Sequence, residues 1–285
     1  MGFARRMWAR YEPVHAVTYF APECKAATDA LGMHGFWMGY CATRCAPLGE
    51  VGPEVATAVF YNFHPDRARR ALPDAWGYAS SARSLDARLA GMDGAMRRLF
   101  GVAVDSPEMV RAAELARVAA EAADTAGRVL AAANQALPWP QEPHLALWQA
   151  TTVLREHRGD GHNAVLIGRQ VSPVRAHLLK SGSGESAEET LQVHRAWPAE
   201  VWAGEVDAMR RAGLLGADGV LTAAGSALHA EVEAATDAAA EGPWAALGVA
   251  GTEELADLLT PWARIVFETG TLPVPNPLGM GAGDL

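Results

Sequence analysis

Apolar side chains return every three or four residues along most of this chain, and prolines and glycines, not alternation, divide the runs. From Pro13 to Ala46 the recurrence includes Val14, Val17, Leu31, Phe36, Trp37 and Tyr40, which commits the segment to helices with a break near Pro22. Pro47, Leu48 and Gly49 end that run. Pro53, well placed at a first helical position, opens another helix that carries Val55, Val59, Phe60 and Phe63 inward as far as His64 and Pro65. Residues 66–76 and 84–100 read as two further amphipathic helices. Ser106, Pro107 and Glu108 start an Ala-rich stretch without proline that runs to about Ala136 and is expected to be the longest helix. A helix over 142–156 then meets the joint HRGDGH, and a further helix starts at Gly161. The Gly/Ser-rich, acidic SGSGESAEE reads as a mobile loop, and the tail after Gly270 has no periodicity.

This gives a mainly α protein: a helical N-terminal domain (1–104), a long connecting helix (105–140), a second domain (141–270) and a flexible tail (271–285). At 285 residues, half of them hydrophobic, each domain has material for a core. The 24 Lys and Arg face 33 Asp and Glu, and the net charge of −9 repels a phosphate backbone unless the cations gather on one face. Cys24, Cys41 and Cys45 are an odd set that fits a reducing compartment, with small buried side chains as the role expected for Cys41 and Cys45. There is no apolar run of about 18 residues and no signal-peptide pattern, so the chain is expected in the cytoplasm, away from membranes.

Residues 197–233 carry the most specific pattern. A helix (WPAEVWAGEVDAMRRAGLL) is followed by GADG, then VLT, then a helix opened by Gly225. The order of helix, Gly-Leu-Leu strand, Asp218-Gly219 turn, Leu-Thr strand and helix resembles the recognition helix and small β-wing of MarR-type winged-helix proteins. That resemblance implies a winged-helix C-terminal half and, by its commonest use, a DNA-binding dimer. The charges oppose the DNA reading: the helix bears Glu200, Glu205 and Asp207, with Arg210 and Arg211 only at its far end, and the wing has no cation. DNA remains open through a different set, Arg169, Arg175, His177 and Lys180. Across nearly the whole chain, the segments HAVTYFAPE, GFWMGY, APLG, FYNFHP, ALPDAW and LREHRGDGH resemble an actinobacterial helix-turn-helix family that includes SalK-like proteins encoded beside natural-product pathways. The resemblance implies a fold and a lineage, not an activity.

Three groups of residues are candidates for chemistry. His157, Asp160 and His162 fall within six residues, so two imidazoles and a carboxylate converge on a metal or act as an acid/base set; alternatively, Asp160 is only the N-cap of the next helix. His15, Tyr19 and Glu23, four apart, share one helix face if the break at Pro22 permits, and suit proton transfer or ligand anchoring; alternatively, His15 and Tyr19 are core residues. Phe36, Trp37, Tyr40, Tyr61 and Asn62, with Arg44, Arg158 and His64, form either an aromatic-walled pocket or ordinary core. No nucleotide-cofactor motif or hydrolase signature occurs, and a His/carboxylate-bound metal stays open as a cofactor. The expected function is binding or conversion of a small organic metabolite, with a ligand-responsive MarR-like regulator as the alternative and a homodimer as the expected assembly.

Overall fold

The computed structural model describes residues 2–285 and is helical throughout. In chain order the helices are α1 (Phe3–Phe20), α2 (Pro22–Asp29), α3 (Gly35–Cys45), α4 (Pro53–Phe60), α5 (Pro65–Arg69), α6 (Ala75–Tyr78), α7 (Ser81–Phe100) and α8 (Pro107–Glu121). They continue with α9 (Val129–Gln135), α10 (Pro143–Gly168), α11 (Pro173–Gly182), α12 (Glu188–Arg195), α13 (Ala199–Arg211), α14 (Ala223–Ala239), α15 (Gly242–Ala245) and α16 (Gly248–Glu268). Local chemistry accounts for many of the starts. Proline occupies the first turn of α2, α4, α8, α10 and α11, where its missing N–H costs nothing. The hydroxyls of Ser80, Ser106, Ser172 and Thr222 accept from backbone N–H groups of α7, α8, α11 and α14.

Three apolar clusters organise these helices. The largest is built from α1, α7, α8, α10 and α16 around Trp148, Met92, Met96 and Met109. A second holds α3, α4 and the α5–α6 region with Leu130 of α9, around Phe60, Phe63 and Leu72. The third joins the end of α10 to α11–α14 through Leu178, Leu179, Trp202 and Met209. The 26-residue α10 passes between all of them and buries His144, Gln149, Thr151, Thr152, Glu156, His157, Arg158 and Asp160 along its length. A central helix this polar needs partners for its buried groups, and some of them, such as Arg44 for Glu156, line the site.

Several expectations are corrected. HRGDGH is not a joint; it lies inside α10. The expected connecting helix is two helices, α8 and α9, interrupted where Gly127 adopts φ +70°. The β-wing is not a pair of strands: among the described residues its only ladder contact is a single Leu215–Leu221 bridge, closed by Gly216 N–H donating to the Val220 carbonyl at 2.8 Å. The tail over 271–285 is packed. Asn276, 2 % exposed, donates to the Pro273 and Met280 carbonyls and accepts from the Leu278 and Met280 N–H groups.

Candidate functional site

A cavity of about 410 Å³ opens between the first two clusters, alongside α10. Its apolar wall comes from Phe36, Trp37 and Tyr40 of α3 and from Phe60 and Phe63 at and beyond the end of α4. These rings pack edge-to-face and tilted with centroids 4.9–5.9 Å apart, the spacing aromatic rings favour. Helix α10 supplies the polar wall through Arg155, Glu156, Gly159, Asp160 and His162, while Arg195 closes the α12 side and Pro277 and Leu278 the tail side. A smaller, more polar space of about 190 Å³ adjoins it, sharing Asn62, Arg155, His162 and Arg195 and the Pro277–Leu278 turn. Because Gly159 has no side chain, the floor between them stays open: a Cβ there would meet only Glu156 and Arg155 atoms at 3.7 and 3.8 Å.

Charge in this region is concentrated and almost dry. Arg44 grips Glu156 with two N–H···O bonds of 3.0 Å, a fork matched to a carboxylate, and also donates to the Tyr40 hydroxyl at 2.9 Å. Arg155 donates at 2.8 Å to Glu156 Oε2, the oxygen that also accepts from Arg44 Nη2, and lies 3.5 Å from buried Glu12. Desolvation would raise the Glu156 carboxyl, but Arg155 and Arg44 hold it well below the usual carboxylate range. Glu12, more weakly paired, is pushed up by burial. Asp160 is also raised by burial, to about 6, while its Oδ2 accepts the Ala131 N–H at 3.0 Å and so caps α9 rather than its own helix.

Two histidines have a tautomer fixed by the same device. The Thr152 hydroxyl donates to the Trp148 carbonyl at 2.9 Å, so its oxygen accepts from His15 Nδ1 at 3.0 Å. His15 Nε2 is then an acceptor, and the Tyr19 O–H donates to it at 3.1 Å. Likewise the Thr236 hydroxyl donates to the Val232 carbonyl at 2.7 Å and accepts from His162 Nδ1 at 2.9 Å, leaving His162 Nε2 as an acceptor on a residue that borders both cavities. Desolvation lowers both imidazoles, His162 to about 4, so both are neutral at pH 7. A cavity-lining phenol whose proton is already directed at a neutral imidazole has the wiring of a general acid/base.

The candidates named from the sequence therefore divide. Tyr19, Phe36, Trp37, Tyr40, Arg44, Asn62, Asp160 and His162 do line the main cavity, with His15 one bond behind Tyr19. His157 does not join Asp160 and His162: it is buried elsewhere, held at about 4 by desolvation and by Arg128. Glu23 lies beyond the helix break at Ala21, on the outside of α2, where it pairs with Arg98. Tyr61 donates to the Val171 carbonyl, and His64 accepts the Asp66 N–H as the cap of α5. Arg158 borders only the smaller space and is paired to Asp237 at 2.9 Å. Among the described residues no three His, Cys, Asp or Glu side chains gather to hold a metal ion. Cys41 and Cys45 are buried and free, their thiols pushed up to about 12 by desolvation. Sequence reasoning did not select Arg155, Glu156 or Arg195. Glu156 lies 112 residues from Arg44, and no local pattern connects them.

A family model described as a helix-turn-helix family matches residues 4–273. The chain belongs to that helix-turn-helix family. No curated protein and no solved structure matches it. In this helix-turn-helix chain, α13 turns Trp202 and Met209 inward and leaves Glu200 and Asp207 exposed, with Glu205 tied to Arg175 at 2.7 Å. Arg210 is turned back to the Ala217 carbonyl at 3.2 Å. Of the cations that offered DNA another route, His177 is buried with Nε2 donating to the Asn62 carbonyl, Arg175 is paired with Glu205, and Lys180 donates to the Leu278 carbonyl; Arg169 is exposed, with no partner among the described residues. No described helix is long and apolar enough to cross a membrane.

Proposed function

We propose that this helix-turn-helix protein binds or converts a small organic metabolite in the cavity between its N-terminal helices and its α11–α14 half, and that DNA is not its main ligand. One observation carries the reading: about 410 Å³ of space walled by five aromatic rings on one side and by oriented polar groups on the other. That combination of size, apolar lining and few convergent polar groups characterises small-molecule sites. The acids on α13 and the inward fate of His177 and Lys180 support a scaffold turned to another use. For conversion, the residues poised for acid/base work are Tyr19, relayed to His15, and His162.

The test is a fluorescence titration with the neutral aromatic probe N-phenyl-1-naphthylamine, comparing the wild type with Gly159→Leu, which places a side chain in the cavity floor. Saturable binding is expected, weakened about tenfold or more in the variant, since a well-packed contact worth about 1.4 kcal/mol changes affinity tenfold. Absence of saturable binding, or equal binding by both proteins, would overturn the reading.

Membership of a helix-turn-helix family favours a second reading, a ligand-responsive regulator acting as a homodimer. It requires salt-sensitive binding to a palindromic operator with half-sites one helical turn apart. A mobility-shift assay on the region upstream of its own gene separates the two readings. Tight, selective binding at physiological salt would put the regulator first.

A further inference from the structure

Buried arginines in this protein have oxygen partners, with one exception. Arg44 and Arg155 share Glu156, and Arg158 is held by Asp237 and Glu233. Arg88 and Arg128 lack a carboxylate within reach but still donate to oxygens: Arg88 to Thr43 and Asn134, Arg128 to the His157 and Ala239 carbonyls. Arg195 has neither. Among the described residues no carboxylate pairs with it and no oxygen accepts from its guanidinium, and its Nε is fully enclosed without a partner. It lies over the Phe63 ring, 4.4 Å from the centroid, borders both cavities, and shares their walls with the cations Arg44 and Arg155. Asn62, which borders the same two spaces, also buries its side-chain oxygen without a donor.

An enclosed cation among other cations, with no counter-ion, is costly to maintain, and such groups in native structures call for an explanation. The spaces that Arg88 faces are about 30 and 10 Å³, no more than room for water, whereas Arg195 faces one of about 410 Å³. The fork of a guanidinium over an aromatic ring suits planar or tetrahedral oxyanions.

We infer that Arg195 is the anchor for an anionic group on the ligand, a carboxylate, sulfonate or phosphate, and that the ligand is an aromatic or otherwise apolar acid whose body lies against Trp37, Tyr40 and Phe60. This deepens the proposed function and rests on it. The ligand supplies the missing counter-charge, so binding neutralises the Arg195 guanidinium as it fills the cavity. The neutral end of the ligand is then presented to Tyr19 and the α10 wall.

A matched pair of probes tests the assignment: 8-anilinonaphthalene-1-sulfonate and N-phenyl-1-naphthylamine share an aromatic body and differ by the sulfonate. The wild type should bind the sulfonate more tightly than the neutral probe. Arg195→Met should weaken the sulfonate roughly tenfold to a hundredfold, the range set by a charge-assisted hydrogen bond, and leave the neutral probe within about twofold. Arg195→Lys should recover part of the loss. Because the wild-type cation is unpaired, Arg195→Met should also unfold at a temperature equal to or higher than the wild type without ligand, whereas a structural arginine would lower it. Equal affinity for the two probes, or equal losses of both on substitution, would overturn the anion assignment while the cavity reading stands. Failure of both probes to bind the wild type would sink the cavity reading itself. A lower melting temperature for Arg195→Met would mark the residue as structural and also overturn the assignment.

Discussion

The cavity and the outer face of α13 hold the same kinds of side chain and treat them oppositely. Around the cavity, Arg44, Arg155, Glu156 and Glu12 are enclosed and paired, Arg44 with Glu156 in a two-bond fork; on α13, Glu200 and Asp207 stand in water and Arg210 is 3.9 Å from Asp207. In water a charge pair is worth little and is screened by salt; inside, the same pair is strong and either partner alone is costly. This chain therefore turns the unpaired Arg195 toward an interior cavity and keeps acids on the outer face of α13.

The sharpest way to break that contrast is to remove its central carboxylate. Glu156→Ala leaves Arg44 enclosed without a counter-ion and Arg155 with only Glu12 at 3.5 Å, and should cost about 3–5 kcal/mol in urea denaturation, the usual penalty for orphaning a buried charge. A loss below about 1 kcal/mol would mean that the interior is as well hydrated as the surface.

Titration sharpens the same point. His157 and His162 are lowered to about 4 and His177 to about 3, all chiefly by burial, from an ordinary value of 6.5. Their stabilising contribution is present above pH 6.5 and is lost as pH falls toward those folded values, so unfolding should become easier between about pH 6.5 and 4. Asp160 runs the other way: raised to about 6 by burial, it burdens the fold above that pH and not below its unfolded value near 3.8. Asp160→Asn keeps an acceptor for the Ala131 N–H and should raise the melting temperature at pH 7.5 by more than it does at pH 4.

Two glycines on one helix give a smaller, signed test. A Cβ at Gly161 would collide with Arg128 Nη1, which donates to the His157 carbonyl while Nη2 donates to the Ala239 carbonyl, so Gly161→Ala should cost about 1–3 kcal/mol. Gly159 faces open cavity, and Gly159→Ala should gain about 0.5–1 kcal/mol from helix propensity. Smallest of all, Asp207→Ala on α13 should stay within about 0.5 kcal/mol of wild type in the same denaturation assay.

Helix starts and the aromatic wall were legible in the sequence because they depend on local chemistry. Pro22 separates α1 from α2, Pro53 opens α4, and the period of Phe36, Trp37 and Tyr40 puts them together on α3. HRGDGH misled because two glycines in six residues look like a breaker. In the folded chain Gly161 makes room for Arg128 to cross α10, and packing on every side overrides propensity. The long Ala-rich helix failed the other way: good propensity did not carry it through the turn before Arg128. Glu156, Arg155 and Arg195 looked like solvated charges on helical segments. Their role is set by partners more than a hundred residues distant, or in the case of Arg195 by having none.

The packed terminal segment has a practical consequence. Pro277 and Leu278 wall both cavities, and the Leu278 carbonyl is the acceptor that keeps Lys180 satisfied. Trimming the chain after Gly270 would unroof the site and leave an interior ammonium unpaired in one cut. The segment after Gly270 is therefore a wall of both cavities and not an appendage to the helices.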